Sequence, residues 1–464
     1  MLKVALVNPP QTGAYSQAPL GLALIAAVLE KAGYPVTVVD ANALKLQPDQ
    51  IATLVSDADV VGLTAMTPTI NAAMAIARHL KKANPKQTIV LGGAHATLLP
   101  EETMAACPEI DVLVRGEGEE TIIQLLPALE QKQPLDKIAG VSYRSGGKIT
   151  VNVPREGNIE LDSLPFLAYH LLPWQKYRPH PPHGRYQPFT AIITSRGCPY
   201  HCSYCSKPIF GNKFRGQSPE RVVEEVAYHQ KRFGIKEFAF YDDVFTLDKK
   251  RTHAICEGIL KRGLKLHWTC ETRVNLVDKE LLRDMKQAGC YAVAYGIESG
   301  SQDVLNTLDK GITLAQVEEA VRLTREARIE AIGYFMIGSP GESPETIRQT
   351  IRFAQKLKLD FAQFAVTTPF PRTRLHELYL QGGQSREIPW ESFIYAGAGA
   401  QVTPVFESGE LDRNSIQRWA SQAHKDFYLR PSYVWQRLRG ISSFGDVKVN
   451  VKGLAMLLGN IRKS

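Results

Sequence analysis

One pattern dominates this chain: a short, largely apolar run, then a turn, then a helix with one apolar face. Before residue 140 it predicts strands at Leu2–Val7, Val36–Asp40, Val60–Thr64, Thr88–Leu91 and Val112–Arg115. From residue 190 it returns, with strands at Ala191–Thr194, Glu237–Tyr241, Leu266–Glu271, Tyr291–Gly296, Ala331–Ile337 and Phe361–Thr367. Strands apolar on both faces are covered on both faces by helices, the arrangement of parallel α/β sheets. The fold class is therefore α/β. Residues 1–140 form an N-terminal doubly wound, Rossmann-like domain and residues 190–372 a (β/α)6 partial TIM barrel. Residues 373–464 make a mainly helical C-terminal extension that caps the substrate side.

Residues 141–189 break the rhythm. Val141-Ser142-Tyr143 and Ile149-Thr150-Val151 flank Gly146-Gly147 as a hairpin, followed by Pro165, Pro173, Pro179, Pro181, Pro182 and Pro188. This reads as a linker that wraps rather than folds alone. The helices carry legible ends. Gly33 closes Gly21–Ala32, and Asn84-Pro85 stops Thr69–Ala83. Ser218 and Ser343 each precede a proline, Thr313 and Gln316 make a capping box, and Asp278 opens a helix that Gly289 closes.

Composition excludes several classes. Hydrophobic residues are 44% and charged residues 22%, which rules out wholesale disorder. No uncharged apolar run reaches the roughly 18 residues of a membrane span, and the N-terminus lacks the pattern of a signal peptide, so a cytoplasmic protein is expected. The net charge of +8 is diffuse, without a lysine- or arginine-rich block, so nucleic acid is not an expected partner. The basic amphipathic stretch Val451–Ile461 reads as docking on the protein itself, with contact to a membrane surface as the weaker alternative.

The cysteine count is seven, too sparse and too odd for a disulfide scaffold. Cys198, Cys202 and Cys205 stand close together just after the first barrel strand, where ligand-binding loops belong. Three thiolates on one compact loop can hold three irons of a cubane cluster and leave the fourth iron for an exogenous ligand. A zinc site completed by His201 or His253 is the alternative. Cys107, Cys256, Cys270 and Cys290 show no ligand spacing and read as buried small apolar residues.

The stretch Thr194-Ser195-Arg196-Gly197-Cys198-Pro199, continued as C-x-x-x-C-x-aromatic-C through Tyr204, resembles the radical S-adenosylmethionine (radical SAM) superfamily over about residues 190–370. The resemblance implies a [4Fe–4S] cluster and S-adenosylmethionine, cleaved by one electron to a 5′-deoxyadenosyl radical. It places Asp242 and Asp243 at the methionine amine, Arg273 at the methionine carboxylate, Glu298 at the ribose and Gly338 at the adenine, with Tyr204 in the same cofactor site. Each has a bland alternative: a helix cap for Asp243, an ion pair for Arg273, a turn for Gly338.

A doubly wound domain ahead of such a barrel resembles the cobalamin-binding radical SAM enzymes. Loops past successive strands then place Thr12, Gly13, Gly21, Thr64, Met66, Thr67, Gly92, Gly93, His95, Gly116, Glu117 and Gly118 at cobalamin. Gly92-Gly93 bares backbone for the nucleotide tail, and Gly116 and Gly118 offer N–H groups. Base-off, His-on domains use Asp-x-His-x-x-Gly; here Asn8-Pro9-Pro10-Gln11-Thr12-Gly13 puts proline where the cobalt ligand stands, so the lower face of the corrin is expected against Thr64–Thr67.

By resemblance the expected enzyme is a methyltransferase acting on an unactivated carbon or phosphorus through methylcobalamin. Alternatives are a non-methylating radical reaction, such as the oxidative cyclisation of magnesium-protoporphyrin ester, and a corrinoid-binding protein without turnover. Expected partners are a small-molecule substrate, large and apolar in character (isoprenoid, lipid or tetrapyrrole), and a one-electron reductant of the flavodoxin or ferredoxin type. Arg372, after the sixth strand, stands where relatives have glycine, and a different local backbone is expected there.

Overall fold

The computed structural model describes residues 1–11, 16–157, 159–177, 184–382, 388–393, 404 and 406–439. Thr12 and Gly13, and the stretch Val451–Ile461, lie outside them. The chain divides into two compact units, Met1–Arg178 with Lys207–Arg215, and Pro179–Ser206 with Gly216–Ser464.

The first unit is built on β1 (Val4–Asn8), β2 (Val36–Asp40), β3 (Val60–Thr64), β4 (Thr88–Gly92), β5 (Val112–Val114), β6 (Val141–Ser145) and β7 (Lys148–Val151), in the order β2-β1-β3-β4-β5-β6-β7. The first five are parallel, with Val4 opposite both Val36 and Val60. Strand order reverses at β1 and β3, the switch point at which doubly wound sheets bind ligands. Leu6, Val60, Val90, Val112 and Val114 meet Leu22, Ala26, Leu125 and Leu126 of helices Leu20–Lys31 and Glu119–Glu130 in a buried core. The hairpin expected in the linker is β6 and β7, and it extends this sheet antiparallel to β5. Val141 is fully buried there, which a free-standing hairpin does not provide. The described linker residues behind it, 159–177, dock on the same unit: Ala168 N–H donates to the Ala23 carbonyl and Tyr177 O–H to the buried Asp40 at 2.9 Å.

The second unit holds β8 (Phe189–Ile192), then the two-residue strands β9 (Ser195–Arg196) and β10 (Arg215–Gly216) that bracket the cysteine loop, then β11 (Glu237–Phe240), β12 (His267–Thr272), β13 (Cys290–Glu298), β14 (Glu330–Ile337) and β15 (Phe361–Val366). Six of these form one parallel sheet, β8-β11-β12-β13-β14-β15, leaving β8 and β15 as its two edges. Strand ends differ from the expected ones by one or two residues at most sites. The caps are where the sequence puts them: Ser218, Asp278, Thr313 and Ser343 each accept from a backbone N–H of the first helical turn.

Near the amino-terminal ends of β13 and β14, Tyr291, Ala292, Ala294 and Ile332 form a buried cluster packed against Tyr334 and Phe361. The amino-terminal mouth is plugged by charge. Gly184 and Tyr186 donate backbone N–H groups to buried Glu237 at 2.6 and 2.8 Å, Tyr291 O–H donates to it at 2.7 Å, and Arg185 pairs with Glu330. The free edge of β15 is met by helix Arg413–Tyr428, whose Tyr428 hydroxyl accepts from Ala362 N–H at 3.1 Å and donates to its carbonyl at 2.7 Å. Arg372 has φ 62°, the left-handed conformation glycine favours. Among the described residues no helix is long and apolar enough to cross a membrane.

Candidate active site

The cysteine loop leaves the carboxyl end of β8 and is fastened along its length. Asp242, at the end of β11, is buried and accepts from Thr194 N–H at 2.8 Å, from the Thr194 hydroxyl and from the Ser195 hydroxyl at 2.6 Å. Arg251 adds donors to the Thr194 carbonyl and hydroxyl, each at 2.9 Å. Burial raises the Asp242 carboxyl above its usual range, while Arg251 and the loop hydroxyls pull it down. Further along, Ser203 N–H donates to the Leu308 carbonyl at 2.9 Å, and Leu375 N–H to the Ser203 carbonyl at 2.8 Å. Between these anchors lie three unbridged cysteines: Cys198 buried, Cys202 half-buried and Cys205 exposed.

Asp242 thus fastens the loop and is not open to a methionine amine, as the sequence had placed it; of the adjacent pair, Asp243 is the exposed carboxylate. The sequence could not tell them apart, because neighbouring residues at a strand end face opposite ways. Asp243 lies near Glu271, whose carboxyl is raised by burial and by the Asp243 charge, with Tyr334 O–H donating to it at 3.3 Å.

Glu298, at the end of β13, has φ 68° and sits in a buried charged cluster. Its Oε1 accepts from Tyr204 O–H at 2.7 Å and from Lys310 Nζ at 2.7 Å, while Lys310 Nζ also donates to Tyr204 Oη at 2.9 Å. Burial, then the Glu298 charge, raises the Tyr204 phenol well above its ordinary value. Lys310 escaped the sequence reading, since a lysine in Asp309-Lys310-Gly311 follows no motif. Gly296 makes room for it: a Cβ there would lie 2.6 Å from Glu298 Oε1 and 2.8 Å from Lys310 Nζ.

Arg273, just past β12, is buried. Its Nη1 donates to Cys202 Sγ at 3.5 Å, Nε to Asn275 Oδ1 at 3.4 Å and Nη2 to the Lys310 carbonyl, and its guanidinium carbon lies 3.7 Å from the centre of the Tyr200 ring. Gly338, after β14, has φ 91° and its N–H donates to Glu342 Oε2 at 2.6 Å. Glu342 is buried, and burial pushes its carboxyl up to about 7 despite two backbone donors. Cys256, Cys270 and Cys290, distant in sequence, come together in the wall of the unit; burial raises Cys256 and Cys270, with Cys290 contributing to both shifts. All three are buried free thiols, as expected of small apolar residues.

In the first unit, the carboxyl ends of β3, β4 and β5 gather Thr64, Met66, Thr67, Gly92, Gly93, His95, Gly116, Glu117 and Gly118. Gly93 has φ 96°, and a Cβ on it would lie 2.6 Å from the Ala65 carbonyl, so only glycine lets the two loops close. Met66 is 51% exposed although its backbone is held by Thr69. His95 is fully buried, its Nδ1 3.3 Å from Thr67 Oγ1; burial lowers it to about 4 and keeps it neutral. Two assignments need correction. Gly116 N–H donates to Thr97 Oγ1 at 3.0 Å and is not free for a ligand. The Glu117 carboxylate is paired with both guanidinium nitrogens of Arg215, a partner 98 residues away that no local pattern announces. Gly21 opens helix Leu20–Lys31, and a Cβ there would meet nothing within 4 Å.

The sequence can now be compared with known proteins. Residues 192–354 match the model of the radical SAM superfamily, and residues 12–126 that of the B12 binding domain. An uncharacterized methyltransferase, PH0819, of Pyrococcus horikoshii is 38% identical over 440 residues, covering 93% of each chain. The chain belongs to the cobalamin-binding radical SAM family. The anaerobic magnesium-protoporphyrin IX monomethyl ester cyclase of Rubrivivax gelatinosus, of the same family, is 30% identical over 427 residues, 90% of this chain and 74% of its own. Among solved structures, the cobalamin-dependent radical SAM enzyme OxsB shares the fold with a TM-score of 0.76 at 18% identity, over 99% of this chain and 72% of that one.

The residues fit the groups that define the family. Cys198, Cys202 and Cys205 are free thiols on one short, pinned loop, the donor set that three corners of a cubane take. His253, an alternative fourth ligand for zinc, has its Nδ1 2.8 Å from Asp284. A guanidinium aimed at a cysteine sulfur suits an anionic cluster. Bare glycine backbone and a solvent-facing methionine at the ligand edge of the first sheet suit the apolar face of a corrin.

Proposed function

We propose that the protein is a methyltransferase that places a methyl group on an unactivated carbon or phosphorus of a small molecule. The observation that carries this reading is the unbridged triad Cys198, Cys202 and Cys205 on a loop pinned to Asp242 and, through Ser203, to Leu308 and Leu375, in a chain 38% identical along its length to a relative named a methyltransferase. When bound, the cluster supplies one low-potential electron to the sulfonium of S-adenosylmethionine, and cobalamin supplies the methyl carrier.

The chain's own residues then have distinct tasks. Cys198, Cys202 and Cys205 hold three irons, and Asp242 keeps their loop in register with β11. Asp243 receives the methionine amine and Glu298 the ribose, while Tyr204 and Lys310 hold Glu298 in place; Gly338, which the resemblance puts at the adenine, has its N–H and carbonyl engaged by Glu342 and Tyr379. Thr64, Met66, Thr67, Gly92, Gly93 and Gly118 line the corrin. Glu271 with Tyr334 offers the substrate one polar handle. A flavodoxin- or ferredoxin-type donor supplies the electron.

The test is anaerobic reconstitution with iron, sulfide, cobalamin, S-adenosylmethionine and reductant. The reading requires both 5′-deoxyadenosine and S-adenosylhomocysteine, with candidate isoprenoids, lipids and tetrapyrroles screened for the mass of one added methyl. A second reading, oxidative cyclisation, draws on the 30% identity to the ester cyclase. It is distinguished by 5′-deoxyadenosine without S-adenosylhomocysteine and by a product that has lost hydrogen.

A further inference from the structure

A buried guanidinium is costly unless an anion faces it. Arg273 is 5% exposed, and among the described residues no carboxylate pairs with it. Four contacts hold it: the Asn275 side-chain oxygen, the Lys310 carbonyl, the face of Tyr200 and the sulfur of Cys202. The neighbouring Lys310 ammonium is balanced by the Glu298 carboxylate at 2.7 Å. The net positive charge at this corner therefore belongs to Arg273, and it is directed at a cysteine sulfur.

We propose that Arg273 is a positioning residue that sets the reduction potential of the iron–sulfur cluster through its N–H bond to Cys202, independently of any contact with S-adenosylmethionine. The inference rests on the cluster reading above. The step concerned is the gain of one electron by the oxidised cluster from an external low-potential reductant; no bond is broken and no proton moves. Reduction adds one negative charge to a group already ligated by thiolates. A fixed cation in a dry setting stabilises that extra charge, and a hydrogen bond to a ligating sulfur acts in the same direction. Tyr200, on the cysteine loop, holds the guanidinium from below, and the Lys310 carbonyl stops it from swinging away.

The experiment is an anaerobic redox titration of the reconstituted full chain without S-adenosylmethionine, followed by electron paramagnetic resonance of the reduced cluster, with iron and sulfide measured on each sample. In Arg273→Gln the ratio of reduced to oxidised cluster at a fixed solution potential is expected to fall at least tenfold, about 59 mV for one electron, with iron content unchanged. Arg273→Lys retains the charge without the planar fork and is expected to show a smaller shift in the same direction, and Tyr200→Leu a smaller one still. An Arg273→Gln cluster that titrates like the wild type overturns the proposal, whatever happens to cofactor affinity. If Arg273→Gln fails to hold iron, the other two variants decide: a negative shift supports the proposal and wild-type behaviour overturns it. Wild-type protein that takes up no iron overturns the cluster reading itself, and this inference with it.

Discussion

At the ligand edge of the first sheet most side chains are small or uncharged, Gly92, Gly93, Thr64, Thr67 and a neutral, buried His95, and the buried acids there, Asp40 and Glu117, are held by Tyr177 and Arg215. At the corresponding edge of the second sheet they are charged and buried: Asp242, Arg273, Glu298 and Lys310. Both are carboxyl ends of parallel strands, and helices cover both sheets. The first edge is shaped by how closely backbone can approach backbone; the second is held by charge pairs that are strong only because water is excluded. A broad, largely apolar cofactor calls for the first kind of edge, and an anionic cluster with a zwitterionic ligand for the second.

Several experiments would break or sharpen this contrast. The largest effect is expected for Cys198→Ala, Cys202→Ala and Cys205→Ala combined: iron and 5′-deoxyadenosine formation lost to background by metal analysis and chromatography, with the cobalamin spectrum retained. Loss of both cofactors would mean the two edges are not independent. Next is Lys310→Met, which leaves Glu298 and Tyr204 buried without their cation and should cost about 3–5 kcal/mol by denaturant unfolding. Adding Glu298→Gln should restore part of that, since the uncompensated charge is then gone.

The pH dependence separates the edges by sign. His95 is lowered from 6.5 to about 4. Its contribution is fully present above pH 6.5 and is lost as pH falls toward 4, by up to about 3 kcal/mol. Glu342 is raised from 4.5 to about 7. Its contribution is fully present below pH 4.5 and is lost as pH rises through 7, by a similar amount of about 3 kcal/mol. Thermal unfolding across pH 4–8 should show His95→Gln removing the acid-side loss and Glu342→Gln the alkaline-side loss. The smallest effect is expected for Gly93→Ala, about 2 kcal/mol, from a left-handed backbone and a Cβ set against the Ala65 carbonyl. Its cobalamin content should fall while its iron content stays at the wild-type level.

Much of this was legible in the sequence, for identifiable reasons. Buried parallel strands leave unbroken apolar runs, and caps such as Thr313 with Gln316 announce helix starts, so both sheets were placed to within a residue or two. The cysteine loop is local and its spacing carries its chemistry. What escaped depends on pairing across the chain. The hairpin was seen, but its apolar positions do not say which sheet they join. Arg215 and Glu117 pair over 98 residues, and residues 207–215, grouped with the first unit, carry no periodic pattern at all. Lys310 was missed because one lysine beside a glycine signals nothing until Glu298 and Tyr204 stand next to it. Asp242 was found but misassigned, because the direction of a carboxylate at a strand end is set by its hydroxyl partners.

Among the described residues the second sheet ends at β8 on one side and β15 on the other, with no ladder joining the two. A fully closed barrel has a fixed girth, because widening it would pull apart a ring of backbone bonds. Here no rung fixes the distance from β8 to β15, so the girth is left to side-chain packing, which substitutions can alter without breaking a bond between strands.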